Sequence, residues 1–114
     1  MATQSFKDLL VWQRSSEFSI ELYKTFAQVR DYGFRDQIQR AGLSVPNNIA
    51  EGYARRSDKA FRNFLLIAKG SIVEVESMLL IAERLKYVSK VQQEKLLGEA
   101  QEIQKLLSGF IRKL

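Results

Sequence analysis

The side chains best suited to chemistry or ligand binding lie between Gln37 and Gly52, where the sequence reads QIQRAGLSVPNNIAEG. This run holds the only proline of the chain, Pro46, among residues that otherwise favour a helix. Proline inside a helix removes a backbone hydrogen bond and clashes with the preceding turn, at a cost of about 3 kcal/mol. At helical spacing the segment also carries a polar stripe, formed by Arg40, Ser44, Asn48, Glu51 and Arg55.

Two interpretations of this polar stripe stay open. In the structural interpretation, which we favour, Asn48 hydrogen-bonds to carbonyl groups freed by Pro46, and Glu51 pairs with Arg55 at the favourable i,i+4 spacing. In the functional interpretation, Ser44, Pro46, Asn48 and Glu51 border a polar pocket that binds a ligand or fixes the register between subunits.

The chain contains neither cysteine nor histidine, which excludes disulfides, thiolate chemistry and imidazole-based catalysis. Histidine-dependent triads, zinc sites and the Glu-x-x-His sites of di-iron bundles are excluded with them. The carboxylates show no catalytic pairing, although a deeply buried Glu51 with a raised pKa in a closed pocket would reopen the question. We therefore predict a protein that is not an enzyme, with no catalytic residue, no metal and no cofactor.

Positive charge is concentrated in the middle third of the chain. Residues 30–69 carry eight basic and four acidic side chains, which accounts for +4 of the net charge of +5. Lysine and arginine placed on a polyanion release condensed counterions, so such a surface suits phosphate. The alternative is a solvated face that only confers solubility. The candidate nucleic-acid-binding residues are Arg40, Arg55, Arg56, Lys59, Arg62 and Lys69.

Hydrophobic periodicity predicts four helices and no strand. The first extends from about residue 9 to 29 and the second from about 34 to 53, with a turn between them at 31–33. Ser57 is the expected N-cap of the third helix, and Ser89 with Gln92 forms a capping box that opens the fourth. The third helix has the most regular apolar stripe, which comprises Phe61, Leu65, Ala68, Ile72, Val75, Leu79 and Ala82.

Four helices of this length with short connections predict an all-α fold, an antiparallel up-down-up-down four-helix bundle. We expect one domain over residues 1–114. No apolar run is long enough to span a bilayer without charges. Nor does the first part of the chain show a basic segment that leads into an apolar run of signal-peptide length. These observations favour a soluble, cytoplasmic protein without membrane contact.

The third helix carries more apolar surface than one bundle core needs. A second stripe runs beside the first, and its members are Phe64, Ile67, Ser71, Met78, Ile81 and Leu85, with Leu66 and Leu80 flanking it. Either this stripe is buried between neighbouring helices of the same chain, or one edge packs against another subunit. The candidate subunit-contact residues are Phe64, Ile67, Ser71 and Met78.

Several short motifs, densest between Gln37 and Glu74, give the chain its resemblance to a known family. They comprise Phe6-Lys7-Asp8-Leu9, Val11-Trp12-Gln13, Gln37-Ile38, Arg40-Ala41, Ser44, Pro46, Asn48-Ile49-Ala50-Glu51-Gly52, Arg56-Ser57, Phe61, Ala68, Gly70-Ser71 and Glu74. The chain resembles the 23S rRNA intervening-sequence proteins. It departs from their usual pattern at Gln39, where a second arginine beside Arg40 is common.

The resemblance implies antiparallel four-helix bundles, some of which assemble into pentameric rings, often encoded inside insertions in large-subunit rRNA genes. A related branch, the accessory proteins of diversity-generating retroelements, comprises basic rings that bind nucleic acid and a reverse transcriptase. We therefore expect a self-associating, non-catalytic protein, with a pentamer favoured, that binds RNA or DNA or acts as a scaffold. The alternative is a structural protein–protein interaction module without nucleic-acid binding, whose partner is a protein such as a reverse transcriptase.

Overall fold

A computed structural model describes residues 5–114 and shows four long helices, with no strand within that range. A short 3₁₀ helix, Phe6–Asp8, precedes them. The four helices are α1 (Leu10–Phe26), α2 (Tyr32–Ala54), α3 (Asp58–Arg84) and α4 (Lys90–Arg112). They pack as an elongated bundle that measures 45 × 22 × 22 Å. The prediction of an all-α fold with four helices is confirmed.

Local capping explains where the helices begin. The Ser57 hydroxyl accepts from the amide of Ala60, and the Ser89–Gln92 capping box is present, as the sequence predicts. The second helix starts earlier than predicted, at Tyr32, because the carboxylate of Asp31 caps it by accepting from the amide of Phe34. A side-chain acceptor at this position satisfies one of the free first-turn amides of the helix.

The core consists of one apolar stripe from each helix. All seven residues of the predicted α3 stripe are buried, and so are the central positions of the other three stripes. Where these stripes reach the ends of the bundle, their apolar residues are only half-buried and pack against the edge of the core: Val29, Phe34, Phe110 and Leu114. Residues near the helix ends have fewer neighbouring helices to cover them, which the periodicity of a sequence does not reveal.

The contact between α2 and α3 is the most extensive in the bundle. It pairs Gly52 with Phe64, Ser44 with Ser71, and Gln37 with Glu74, so residue numbers run in opposite directions along the two helices. At Gly52 the backbones approach so closely that a Cβ atom would lie 2.5 Å from the Cβ of Phe64. Only glycine fits this position without displacing α3.

Gly52→Ala is expected to destabilise the protein by about 1–3 kcal/mol, because the added methyl group meets a Cβ atom that cannot rotate away. Gly70→Ala is the matched control, since a Cβ there has no atom within 4 Å. It should stabilise α3 by about 1 kcal/mol through helix propensity. Urea unfolding followed by circular dichroism measures both; equal effects would contradict the close α2–α3 approach.

A second contact joins the two connections at the opposite end of the bundle. The hydroxyl of Tyr87, after α3, donates to a carboxylate oxygen of Asp31, before α2, at 2.7 Å. Phe34 packs against the Tyr87 ring with its centroid 5.3 Å away. Hydrogen bonds from Tyr87 and from the Phe34 amide lower the pKa of Asp31 from its ordinary value of 3.8. The same hydrogen bond raises the pKa of Tyr87 above 10.0.

Tyr87→Phe is expected to lower stability by an amount that is largest at neutral pH. Because the pKa of Asp31 is lowered by folding, its contribution is present above about pH 3.8 and lost as the pH falls through the folded-state pKa. Because folding raises the pKa of Tyr87, the contribution of Tyr87 to stability is lost as the pH rises through its folded-state pKa. Urea midpoints across pH measure the difference, with Tyr23→Phe as the control. A pH-independent deficit would contradict this coupling.

Candidate functional site

The polar stripe of α2 is hydrogen-bonded to α3. The hydroxyls of Ser44 and Ser71 lie 2.9 Å apart, and Nδ2 of Asn48 donates to the Ser44 carbonyl at 2.7 Å and to the Ser44 hydroxyl at 2.9 Å. This differs from the prediction, because the carbonyl that loses its amide partner to the buried Pro46 is that of Gly42. Among residues 5–114 no buried side-chain polar atom lacks a hydrogen-bond partner, so no buried group of the stripe is left free for a ligand.

Glu51 is paired with Arg55, as the sequence predicts. The two groups are 3.2 Å apart, and each side chain is more than half exposed. An exposed, paired carboxylate is not the buried acid that a catalytic site at this position would require. Exposed ion pairs also contribute little to stability, typically below about 1 kcal/mol.

Four of the predicted nucleic-acid-binding residues cluster where α2 passes into α3. Arg55, Arg56, Lys59 and Arg62 are all exposed there. Arg55 also lies over the ring of Phe64, with its guanidinium carbon 5.3 Å from the centroid. The other three form no salt bridge with any residue of 5–114. This end of the bundle therefore presents three exposed cations without a salt bridge to residues 5–114, with one exposed carboxylate, Asp58, among them.

The remaining two predicted residues lie away from that cluster. Arg40 is exposed but precedes Arg55 by fifteen residues on the same helix, a separation of about 22 Å along the helix axis. Lys69 is half-buried and lies about 10 Å along α3 from Arg62. The six residues are therefore not one compact patch.

The fold adds cations from α4 that the sequence argument missed. The ring of Phe61 packs against Tyr53 at 5.8 Å and against Phe110 at 5.3 Å, which brings the end of α4 beside the α2–α3 connection. Arg112 and Lys113 are exposed at this end. Arg112 also helps to line a shallow surface depression of about 270 Å³ on α4. The four-helix topology was the available signal, because it places the end of the fourth helix near the start of the third.

The structure revises the predicted subunit-contact residues on α3. Met78 is 7% exposed and belongs to the core, so it is wrong as an interface residue. Phe64 and Ser71 are half-buried and face α2. Only Ile67 is widely exposed, at 53%. The outward face of α3 instead displays Leu66, Val73 and Leu80, which we call the outer ridge.

An acidic groove lies on another side of the bundle, between α1 and α4. It encloses about 440 Å³, and its lining residues are Arg14, Glu17, Phe18, Ile20, Glu21, Glu99, Glu102, Ile103 and Leu106. Burial raises the pKa of Glu99; Lys95 opposes that rise, and Glu21, Glu102 and Glu17 add to it. Within residues 5–114, no cluster of three or more carboxylates is arranged to hold a metal ion. We call this feature the α1–α4 groove.

Comparison with known proteins places the chain in a family. The model of the 23S rRNA-intervening sequence protein family matches residues 7–109. The chain belongs to this family. A solved structure from Bacteroides thetaiotaomicron, described as a protein of unknown function from the S23 ribosomal protein family, superposes with a TM-score of 0.84 and 29% identity. The match covers 90% of this chain and 96% of that one. No curated protein matches the chain.

Family membership confirms the resemblance and the bundle, whereas the candidate surfaces rest on geometry. They are the basic end, which comprises Arg55, Arg56, Lys59, Arg62 and Arg112, the outer ridge and the α1–α4 groove. Between residues 5 and 114, no helix is both long enough and apolar enough to cross a membrane.

One residue of the basic end and one residue at the other end of α3 have a strained backbone. Arg56 has a φ of 55° and Lys86, at the α3–α4 connection, has a φ of 64°. The left-handed region costs a residue with a Cβ atom about 1–2 kcal/mol, whereas glycine adopts it freely. Each connection therefore has a cation where glycine would fit the backbone better.

Arg56→Gly and Lys86→Gly should therefore leave stability unchanged or raise it by up to about 1 kcal/mol, since relief of strain offsets the added entropy of the unfolded chain. The two substitutions remove the same charge at opposite ends of α3, so each serves as the control for the other. Thermal unfolding followed by circular dichroism provides the measurement. A loss of more than about 1 kcal/mol in either variant would show that the side chain makes a stabilising contact.

Proposed function

We propose that this protein is a non-catalytic, self-associating bundle that binds nucleic acid through the basic end. The basic end comprises Arg55, Arg56, Lys59, Arg62 and Arg112. The observation that carries the proposal is the convergence of exposed cations from three helices at one end, where only Arg55 pairs with a carboxylate of residues 5–114. RNA or DNA is the proposed ligand, and the cytoplasm the proposed location.

Phosphate contacts provide affinity without sequence specificity. Each phosphate neutralised by lysine or arginine contributes about −0.9 to the slope of log K against log salt on duplex DNA, and about −0.7 on single strands. The basic end presents arginines, whose planar guanidinium groups bind phosphate oxygens in pairs. No groove-reading motif accompanies them, so we expect little discrimination between sequences.

The proposed assembly multiplies this surface. The contacts between α2 and α3 support the predicted antiparallel up-down-up-down arrangement, in which the α2–α3 connection and the end of α4 share one end of the bundle. A closed ring would place one basic end per subunit on the same rim. A pentamer remains the favoured ring, on the family resemblance alone.

The triple variant Arg55→Glu/Arg56→Glu/Lys59→Glu is expected to weaken binding of a structured RNA and of duplex DNA by at least about tenfold at low salt. For each protomer in contact with duplex DNA, it should reduce the magnitude of the salt slope by about 2.7. Electrophoretic mobility shift across a salt series, on protein whose mass is established by light scattering, measures both quantities.

The matched control is Lys24→Glu/Lys86→Glu/Lys90→Glu, which reverses three exposed cations at the other end of the bundle. Circular dichroism verifies that both triple variants retain the helical fold. Equal weakening by the two variants would show that net charge, rather than the basic end, governs binding. Unchanged binding in the first variant would remove the basic end from the proposal.

The second candidate function is a protein–protein interaction module without nucleic-acid binding. The exposed outer ridge favours it, because contiguous apolar surface of this kind marks contact sites. A protein such as a reverse transcriptase is the partner proposed from the resemblance. Wild-type protein that fails to retard RNA or DNA at low salt, while it still self-associates, would favour this function over the first.

A further inference from the structure

We propose that the outer ridge of one copy docks into the α1–α4 groove of a second copy, in a head-to-tail contact. The inference rests on the self-association in the proposed function and deepens it by naming the two surfaces that meet. Both surfaces carry apolar groups at their centre and charge at their edges, and their net charges are opposite in sign.

The outer ridge is a row of evenly spaced apolar side chains. Leu66, Val73 and Leu80 are spaced by seven residues, so they lie on one face of α3 at intervals of about 10 Å. They are 46%, 51% and 51% exposed, respectively. Within residues 5–114 no other helix covers this face, since α2 and α4 contact α3 and still leave these three side chains exposed.

Basic side chains border the outer ridge. Four cations follow the same helical face at spacings of three, four or seven residues from the ridge leucines and valine: Lys59, Arg62, Lys69 and Arg84. Two carboxylates, Glu76 and Glu83, lie at the same spacings and are half-buried. The net charge around the ridge is therefore positive.

The α1–α4 groove is complementary to the ridge in shape and sign. Its floor is apolar and includes Ile20, which is 54% exposed, beside Leu106. Its borders carry the carboxylates of Glu17, Glu21 and Glu99, whereas the charge of Glu102 is already paired with Arg14 at 3.4 Å. Along α1 the groove extends from residue 14 to 21, about 10 Å, which matches two consecutive ridge side chains.

The bundle leaves this groove open because α1 and α4 have the least extensive contact among the pairs of long helices that touch. A ridge helix laid into it would give α1 and α4 the packing partner that they lack. Placing arginine and lysine beside Glu21 and Glu99 would also offset the repulsion between carboxylates, which adds to the rise that burial causes in the pKa of Glu99. Such complementary charge fixes orientation and excludes the reverse docking.

The two surfaces lie on different parts of the chain, which determines the symmetry of the contact. The groove is formed by α1 and α4, whereas the ridge belongs to α3, whose backbone does not approach that of α1. A contact between two different surfaces is heterologous, so it leads to a ring when the rotation closes and to a filament when it does not. Each copy thus docks its outer ridge into one neighbour and receives the ridge of another neighbour in its α1–α4 groove.

The ridge border shares Lys59 and Arg62 with the basic end, so two double variants that change neither residue test the docking separately from nucleic-acid binding. Val73→Glu/Leu80→Glu removes the apolar ridge, and Glu17→Lys/Glu21→Lys reverses the groove. We expect each variant alone to be monomeric by light scattering. Mixed in equal amounts, they should form a heterodimer of twice the 13.2 kDa chain mass and nothing larger. That dimer arises because each variant retains the one surface that the other needs.

Matched controls make the same types of substitution at exposed positions outside the ridge and the groove. Leu43→Glu/Val91→Glu introduces two carboxylates at exposed apolar positions, and Asp36→Lys/Glu94→Lys reverses two exposed carboxylates outside the groove. Both controls should assemble like the wild type, with circular dichroism verifying the fold of all four variants. Assembly of either test variant alone, or monomeric variants that fail to dimerise on mixing, would overturn the docking. A monomeric wild type would overturn self-association itself, and retardation of RNA by the monomeric variants reports independently on the basic end.

Discussion

The close approach of α2 and α3 at Gly52 is the constraint on which the rest of the structure depends. Glycine lets the α2 backbone contact Phe64, and the paired hydroxyls of Ser44 and Ser71 continue the same contact along the helices. This packing fixes the rotation of α3 about its axis. Once that rotation is fixed, the stripe from Phe61 to Ala82 faces the core, and the outer ridge must face away from it.

The same constraint places positive and negative charge on different surfaces of the bundle. The short α2–α3 connection holds arginines at one end of the bundle, and the aromatic contact between Phe61 and Phe110 adds the end of α4 to them. Carboxylates meanwhile collect on the side where α1 and α4 diverge. A chain with a modest net charge of +5 thus has a cationic end and an anionic groove. Complementary fields of this kind steer association and fix its orientation.

Much of the fold was predictable because local rules and burial agree along most of the chain. Both serine caps, the α3 stripe and the Glu51–Arg55 pair are where the sequence places them. The errors fall where two neighbouring helices compete for one side chain. Met78 lies at the boundary between the inner and outer faces of α3, and only the position of α2 shows that it is buried. Asn48 donates to the Ser44 carbonyl rather than to the Gly42 carbonyl that Pro46 frees, because its side chain reaches back one turn, to Ser44.

The sequence by itself determined four helices, their caps, the apolar stripes and the absence of thiol and imidazole chemistry, because these depend on periodicity and composition. Tertiary structure alone decided which cations share a surface. It brought Arg112 to the α2–α3 connection, left Arg40 about 22 Å along the helix from Arg55, and opened the α1–α4 groove. The physical reason is that helix periodicity fixes the direction of a side chain within its own helix. The rotation and spacing of neighbouring helices are set by close contacts between residues far apart in the chain.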